Sequence, residues 1–207
     1  MDGTLTQTNQ LIYDTFNHIA GRYINKQLTN SEIHALFGPP EELCIENLLG
    51  KEKAASAMVE YYSFYQSEHE RLAVLYPGIK DILDFLRSKN VPLALFTGKG
   101  RRTTDITLEQ FAISSYFDMT VTGDDVDEFK PSGNGIRKIL EKFSLTPGNV
   151  LMVGDAVADF RASRETGVEI ASVLWDSYGK EDVLKLTPDH LFHDVHSFFD
   201  WLKKVYA

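Results

Sequence analysis

NVLMVGDAVADFRASRETGVEIASVLW, residues 149–175, is the stretch on which the fold turns. NVLMVGD is a short apolar run, DFRASRETG has the charge and length of one amphipathic helix closed by Gly167, and EIASVLW is a second apolar run. Strand, single helix, strand is the signature of a right-handed crossover between parallel neighbours. Toward the N-terminus the alternation recurs. GIRKILEKFSL (135–145) reads as helix, MTVTG (119–123) as strand and TTDITLEQF (103–111) as helix. VPLALFTG (91–98) is a buried strand, and PGIKDILDFLRSKN (77–90) is a helix begun by Pro77. DVHSFFDWLKKVY (194–206) closes the chain as a helix. The expected fold is α/β, a doubly wound, Rossmann-like parallel sheet with helices on both faces.

Upstream of Tyr76 the texture is different, and from Gln10 to about Leu75 the chain reads as helical throughout. LIYDTFNHIAGRYIN (11–25) puts Leu11, Ile12, Thr15, Phe16, Ile19 and Tyr23 on one stripe. LTNSEIHALFG (28–38) is a helix capped by Thr29 or Asn30, closed by Gly38 and stopped by Pro39-Pro40. PEELCIENLLG (40–50) and KEKAASAMVEYYSFYQSEHERL (51–72) are two more. Tyr61, Tyr62, Phe64 and Tyr65 read as core and half-exposed packing rather than a ligand cage.

At 207 residues and 43% hydrophobic content the chain can bury one sizeable core, or a core with a small accessory domain. The net charge is −9, and no run of Lys or Arg is longer than a pair such as Arg101-Arg102, which argues against nucleic acid as a partner. Such a protein repels anions at long range, so any phosphate site must be positive locally. The single cysteine, Cys44, forms no internal disulfide and fits a reducing compartment. No apolar run approaches the roughly 20 residues of a membrane span, and no charged-then-apolar leader opens the sequence. The expectation is a cytoplasmic protein that binds no membrane, with monomer as the default.

In doubly wound sheets ligands bind at the carboxyl ends of the strands. Here those ends carry Thr97-Gly98, then Gly123 leading to Lys130-Pro131, then Gly154-Asp155 with Asp159 four residues on. Singly, each is what helix caps and turns look like. At successive strand ends, a hydroxyl, a lysine and two carboxylates should converge on one edge. TGKGRRT (97–103) matches neither glycine-rich nucleotide pattern and is no nucleotide signature.

With these residues in place the chain resembles the haloacid dehalogenase-like hydrolases, in the phosphoglycolate-phosphatase-like branch with a helical cap. The family's first motif, D-x-D-G-T-[LV], is met by MDGTL from its second letter, with Met1 as x and Asp2 as the second Asp. Thr97 matches the second motif, Lys130-Pro131 the third, and Gly154, Asp155 and Asp159 the fourth. After Lys130-Pro131 the family commonly continues with Asp or Glu, where this chain has SGNG (132–135). The resemblance implies a catalytic core of residues 1–10 and 76–207 with a helical cap of 11–75. It also implies Mg²⁺-dependent hydrolysis of a small phosphorylated metabolite through an aspartyl-phosphate.

On that resemblance Lys130 balances charge at the phosphate, and Thr97 donates to it with the N–H groups of Gly3 and Gly98. Asp155 and the Asp2 carbonyl hold the metal, with Asp159 in the metal shell or orienting Lys130. The Asp2 side chain acts as general acid and then base. Asp2 speaks against dehalogenases, which do without that acid, and against phosphonate hydrolases, which typically carry Ala. A sugar-phosphate mutase of the β-phosphoglucomutase kind, or an inactive phosphate-binding homologue, fits the same motifs. The nucleophilic Asp belongs directly before Met1, and with it the strand at the centre of the sheet. The expectation is that Met1 is internal to a longer natural chain, that the 207 residues alone are inactive, and that their sheet has a central gap or something else filling it. Substrate choice falls to polar residues of the helical segment: Asn17, His18, Arg22, Glu41, Glu42, Asn47 and Lys51.

Overall fold

A computed structural model describes residues 1–177 and 179–207. β1 (Thr6–Gln7) leads into α1 (Asn9–Ile24), α2 (Asn30–His34), α3 (Glu41–Leu49) and α4 (Lys51–Leu72), and the chain returns in β2 (Val74–Leu75). β1 and β2 pair antiparallel, Thr6 with Leu75 and Gln7 with Val74. The reading as helix throughout to Leu75 is corrected here: a two-residue ribbon ties the exit of the helical segment to its entrance. Two residues are too few for a period to show in sequence.

Local chemistry sets the ends of these helices. Asn25, at φ 51°, closes α1 in the left-handed conformation that asparagine tolerates. Thr29 and Glu32 form a capping box on α2, the hydroxyl accepting from Glu32 N and the carboxylate from Thr29 N. Leu11, Phe16, Ile19, Ile33, Ile45, Tyr61 and Tyr65 pack with Ile106 into one cluster. Each fully buried aliphatic or aromatic side chain stabilises by about 1.5–3 kcal/mol, which is what holds these short helices in place.

The rest alternates. After α5 (Ile79–Ser88) come β3 (Ala94–Phe96), α6 (Arg101–Gln110), β4 (Met119–Val121), α7 (Asn134–Phe143), β5 (Leu151–Gly154), α8 (Val157–Thr166) and β6 (Glu169–Val173). α9 (Lys180–Leu184), β7 (His190–Phe192) and α10 (Val195–Val205) complete the chain; the sequence pattern marks neither α9, which is five residues long, nor β7, which lies in no apolar run. β3 and β4 pair parallel, as do β5, β6 and β7 in that order. One face is covered around Ile79, Ile82, Leu83, Phe198 and Leu202, the other around Ile136, Ile139 and Ala162, so the sheet is apolar on both sides.

Among the described residues no strand joins β3 to β5, and the parallel sheet stands in two parts. Residues 1–6 coil near the gap: the Met1 carbonyl accepts from the backbone N–H groups of Thr4, Leu5 and Thr6, and the Met1 side chain packs with Leu95 and Ala171. Among the described residues no helix is long and apolar enough to cross a membrane.

Candidate active site

The carboxyl ends of β3 and β5 open onto a cavity of about 170 Å³, closed from the other side by α1, α3 and α4. Asp2, Gly3, Thr97, Gly98, Lys130, Asp155 and Asp159 all line it. Every site residue proposed from the sequence therefore reaches one space, although they are drawn from four separate stretches of chain.

Asp155 follows β5 directly and is 5% exposed. Its Oδ1 accepts from the Thr4 hydroxyl at 2.7 Å, and its backbone carbonyl accepts from Ser177 Oγ at 2.6 Å. Burial, reinforced by the charge of Asp159, raises its pKa above the usual carboxylate range. Asp159, on the first turn of α8, accepts from Lys130 Nζ at 2.7 Å and from Ala156 N at 3.1 Å. Burial opposes its charge, but Lys130 wins and its pKa is lowered. Lys130 also lies 4.7 Å over the Phe96 ring. Gly3 sits at φ 74°, and a Cβ there would meet Asp155 Oδ2 at 2.3 Å, so only glycine lets this turn lie against the acid.

The Asp2 carboxylate turns away from that pair. It accepts from the Thr8 hydroxyl at 2.5 Å and lies 3.5 Å from Lys99 Nζ. Burial would raise its pKa, but Lys99 and the Thr8 hydrogen bond are among the groups that hold it below the usual value. Among the described residues no three His, Cys, Asp or Glu side chains close into a metal cage. The side chains of Asp2, Asp155 and Asp159 therefore do not act as a joint ligand set: Asp2 faces Lys99 and Asp159 holds Lys130. Asp155 makes no side-chain ion pair among the described residues, although Lys130 and the amino terminus act on its charge from farther off. A buried hard-oxygen donor of this kind fits Mg²⁺, which is content with one or two protein ligands plus phosphate and water.

Sequence reasoning missed Lys99 altogether. It is 8% exposed and lies 3.5 Å from both Asp2 and Glu41, with the Tyr65 ring 4.7 Å below its ammonium. Burial opposes the charge, yet Asp2, Tyr65 and Glu41 hold its pKa above the ordinary lysine value. The available signal was position, two residues beyond the strand-end Thr97 on the same loop.

Of the seven polar candidates in the helical segment only Glu41 lines the cavity. His18 and Arg22 pair with Glu60, at 2.8 and 3.0 Å, and Lys51 lies near Glu46. Asn17 is bonded to the backbone of Leu28, Glu42 accepts from the Tyr62 hydroxyl, and Asn47 is exposed. Tyr61 and Tyr65 are fully buried core, as their spacing suggested, though Tyr61 also reaches the cavity wall.

With this geometry established, comparison with known proteins is informative. The family model described as haloacid dehalogenase-like hydrolase matches residues 1–173. A pyrophosphatase PpaX of Anoxybacillus flavithermus is 31% identical over 195 residues, covering 94% of this chain and 90% of the relative. Among solved structures, a hydrolase from Pseudomonas syringae superposes with a TM-score of 0.82 at 21% identity, covering 100% of this chain and 96% of its own. A predicted phosphoglycolate phosphatase from Haemophilus somnus gives 0.81 at 20% identity, covering 99% and 95%. Both likenesses speak to the fold.

Proposed function

The chain belongs to the haloacid dehalogenase-like hydrolase family, in which proteins similar to it carry the names pyrophosphatase and phosphoglycolate phosphatase, and from that premise we propose that it serves a Mg²⁺-dependent phosphatase acting on a small phosphorylated metabolite in the cytoplasm. The observation that carries the reading is the convergence of Asp2, Thr97, Lys130, Asp155 and Asp159 on one cavity.

In this reading Lys130, fixed by Asp159, offers its ammonium to the phosphoryl oxygens. Thr97 and the Gly98 N–H complete the cradle; the Gly3 N–H, expected to join them, is given to the Thr6 carbonyl at 2.9 Å. Asp155 and the Asp2 carbonyl would hold Mg²⁺, which supplies charge neutralisation at the phosphate. The Asp2 carboxylate, which Lys99 and the Thr8 hydroxyl favour in its ionised form, would take a proton from the attacking water as general base; the acid half of the role implied by the resemblance requires that it first take up a proton. In the family's first motif the attacking carboxylate is the letter before the one that Met1 matches, and no carboxylate of these residues is assigned that role. Residues 11–75 act as the cap over a core of 1–10 and 76–207, and exclude water from the cavity.

The test is phosphate release from a phosphomonoester panel with Mg²⁺, for the 207-residue chain and for one extended at its N-terminus by an apolar strand ending in Asp. Turnover by the extended form alone supports the mechanism. Phosphate moving within a hexose without release makes the activity a mutase. Failure of both forms, when both fold and bind Mg²⁺, sinks the enzymatic reading in favour of a binding module.

A further inference from the structure

The side of the cavity remote from Lys130 is built from Glu41 and its partners. Glu41 opens α3 directly after Pro39-Pro40, is 7% exposed, and reaches across to the N-terminus of α6. Its Oε2 accepts from Gly100 N at 2.6 Å and its Oε1 from the Thr103 hydroxyl at 2.7 Å, with Lys99 Nζ 3.5 Å away. Gly100 makes the approach possible: a Cβ there would lie 2.8 Å from Glu41 Oε2. A helix N-terminus with a buried lysine beside it would ordinarily welcome an anion. Here the chain's own carboxylate fills that place, and Asp2 flanks Lys99 on its other side.

The charges on this wall are therefore already matched. Lys99 faces two carboxylates, and Lys130, the other lysine lining the cavity, is paired with Asp159. The rest of the wall carries no further cationic side chain: it is mostly apolar, from Ile12, Phe16, Phe37, Pro39 and the Tyr61 ring, with Asn9 and the Tyr61 hydroxyl as neutral polar groups. A second negative group on a substrate would have to be buried beside Glu41 without a cation of its own, which is strongly unfavourable at low dielectric. Lys99 Nζ, which has no hydrogen-bond partner among the described residues, can donate to a neutral oxygen.

We infer that Glu41 is a specificity-determining residue that turns away substrates carrying a second anionic group, so that the substrate class is a phosphomonoester with an uncharged leaving group. The inference rests on the phosphate site proposed above. It parts from the names of the relatives, since pyrophosphate and phosphoglycolate both carry the extra charge.

A matched pair of probes tests it: 2-hydroxyethyl phosphate and phosphoglycolate differ only in a CH₂OH against a carboxylate. Calorimetric titration of each, and of inorganic phosphate, into the 207-residue chain in saturating Mg²⁺ needs no turnover. The wild type should bind the hydroxyethyl ester at least about tenfold more tightly than phosphoglycolate, and Glu41→Gln should cut that ratio to about threefold. Equal or tighter binding of phosphoglycolate by the wild type overturns the inference, and the wild-type ratio decides alone should the variant not fold. An unchanged ratio in a folded Glu41→Gln overturns the role of Glu41. Absence of inorganic phosphate binding would instead remove the phosphate site itself, a separate failure.

Discussion

Two lysines face the same cavity and are held in different ways. Lys130 makes one short pair with Asp159, at 2.7 Å, wholly within the α/β part of the molecule. Lys99 stands 3.5 Å from each of two carboxylates, one at the start of the chain and one from the helical segment, and sits over the ring of Tyr65 in α4. On the proposed function, the first arrangement aims a charge at a substrate. The second ties the helical segment to the strand-end loop, and its charge is needed to keep Asp2 and Glu41 buried. If that contrast is right, removing the two lysines has different consequences.

Lys99→Met should have the largest effect. It strands two buried carboxylates, and breaking a buried ion pair costs about 3–5 kcal/mol. Chemical denaturation reads this directly, and a loss below about 1 kcal/mol would mean that Lys99 ties nothing together.

His69 sharpens the same contrast. It is 1% exposed, packs against Tyr65 and Phe111, and burial together with the nearby Lys99 charge lowers its pKa to about 4. Below pH 6.5 the unfolded chain takes up a proton that the buried ring refuses until about pH 4. Stability from this group is therefore present above 6.5 and falls as the pH drops through that window, by about 3 kcal/mol in all. His69→Phe should flatten the pH dependence of stability between 6.5 and 4. If the slope is the same in wild type and variant, the ring does not titrate as described.

Lys130→Met should cost less, about 3 kcal/mol, because it unpairs one buried carboxylate, Asp159, where Lys99→Met unpairs two. Its larger consequence is for ligand binding. A melting temperature lowered more by Lys130→Met than by Lys99→Met would reverse the assignment of the two lysines.

Tyr61→Phe should do least. The Tyr61 hydroxyl is buried and has no hydrogen-bond partner among the described residues, so its removal should leave stability unchanged or raise it by up to about 1 kcal/mol. A loss beyond that would reveal a partner for the hydroxyl.

What the sequence disclosed follows the same division. Strand–helix alternation is a repeated local pattern, so β3 to β6 and their helices were legible, and with them the strand ends that carry Thr97 and Asp155. Lys130 and Asp159 were legible because each stands at a fixed offset from a strand end. Glu41 and Lys99 are 58 positions apart and meet only through the packing of α4 against α6, which no local pattern encodes. Glu41 was therefore one polar residue among seven, and Lys99 looked like part of a loop with no nucleotide pattern. β1 and β2 escaped for another reason, since strands of two residues carry no measurable period, and β7, as short as β3 and β4, starts with the polar His190 and has no apolar run around it.

The central claim is that this cavity is a phosphate site organised by Lys130. Its most direct test is calorimetric titration of inorganic phosphate, in saturating Mg²⁺, into the 207-residue chain and into Lys130→Met. The account predicts one phosphate bound per wild-type chain, and binding weakened at least about tenfold in a variant that remains folded. Equal affinity in the two proteins would contradict it.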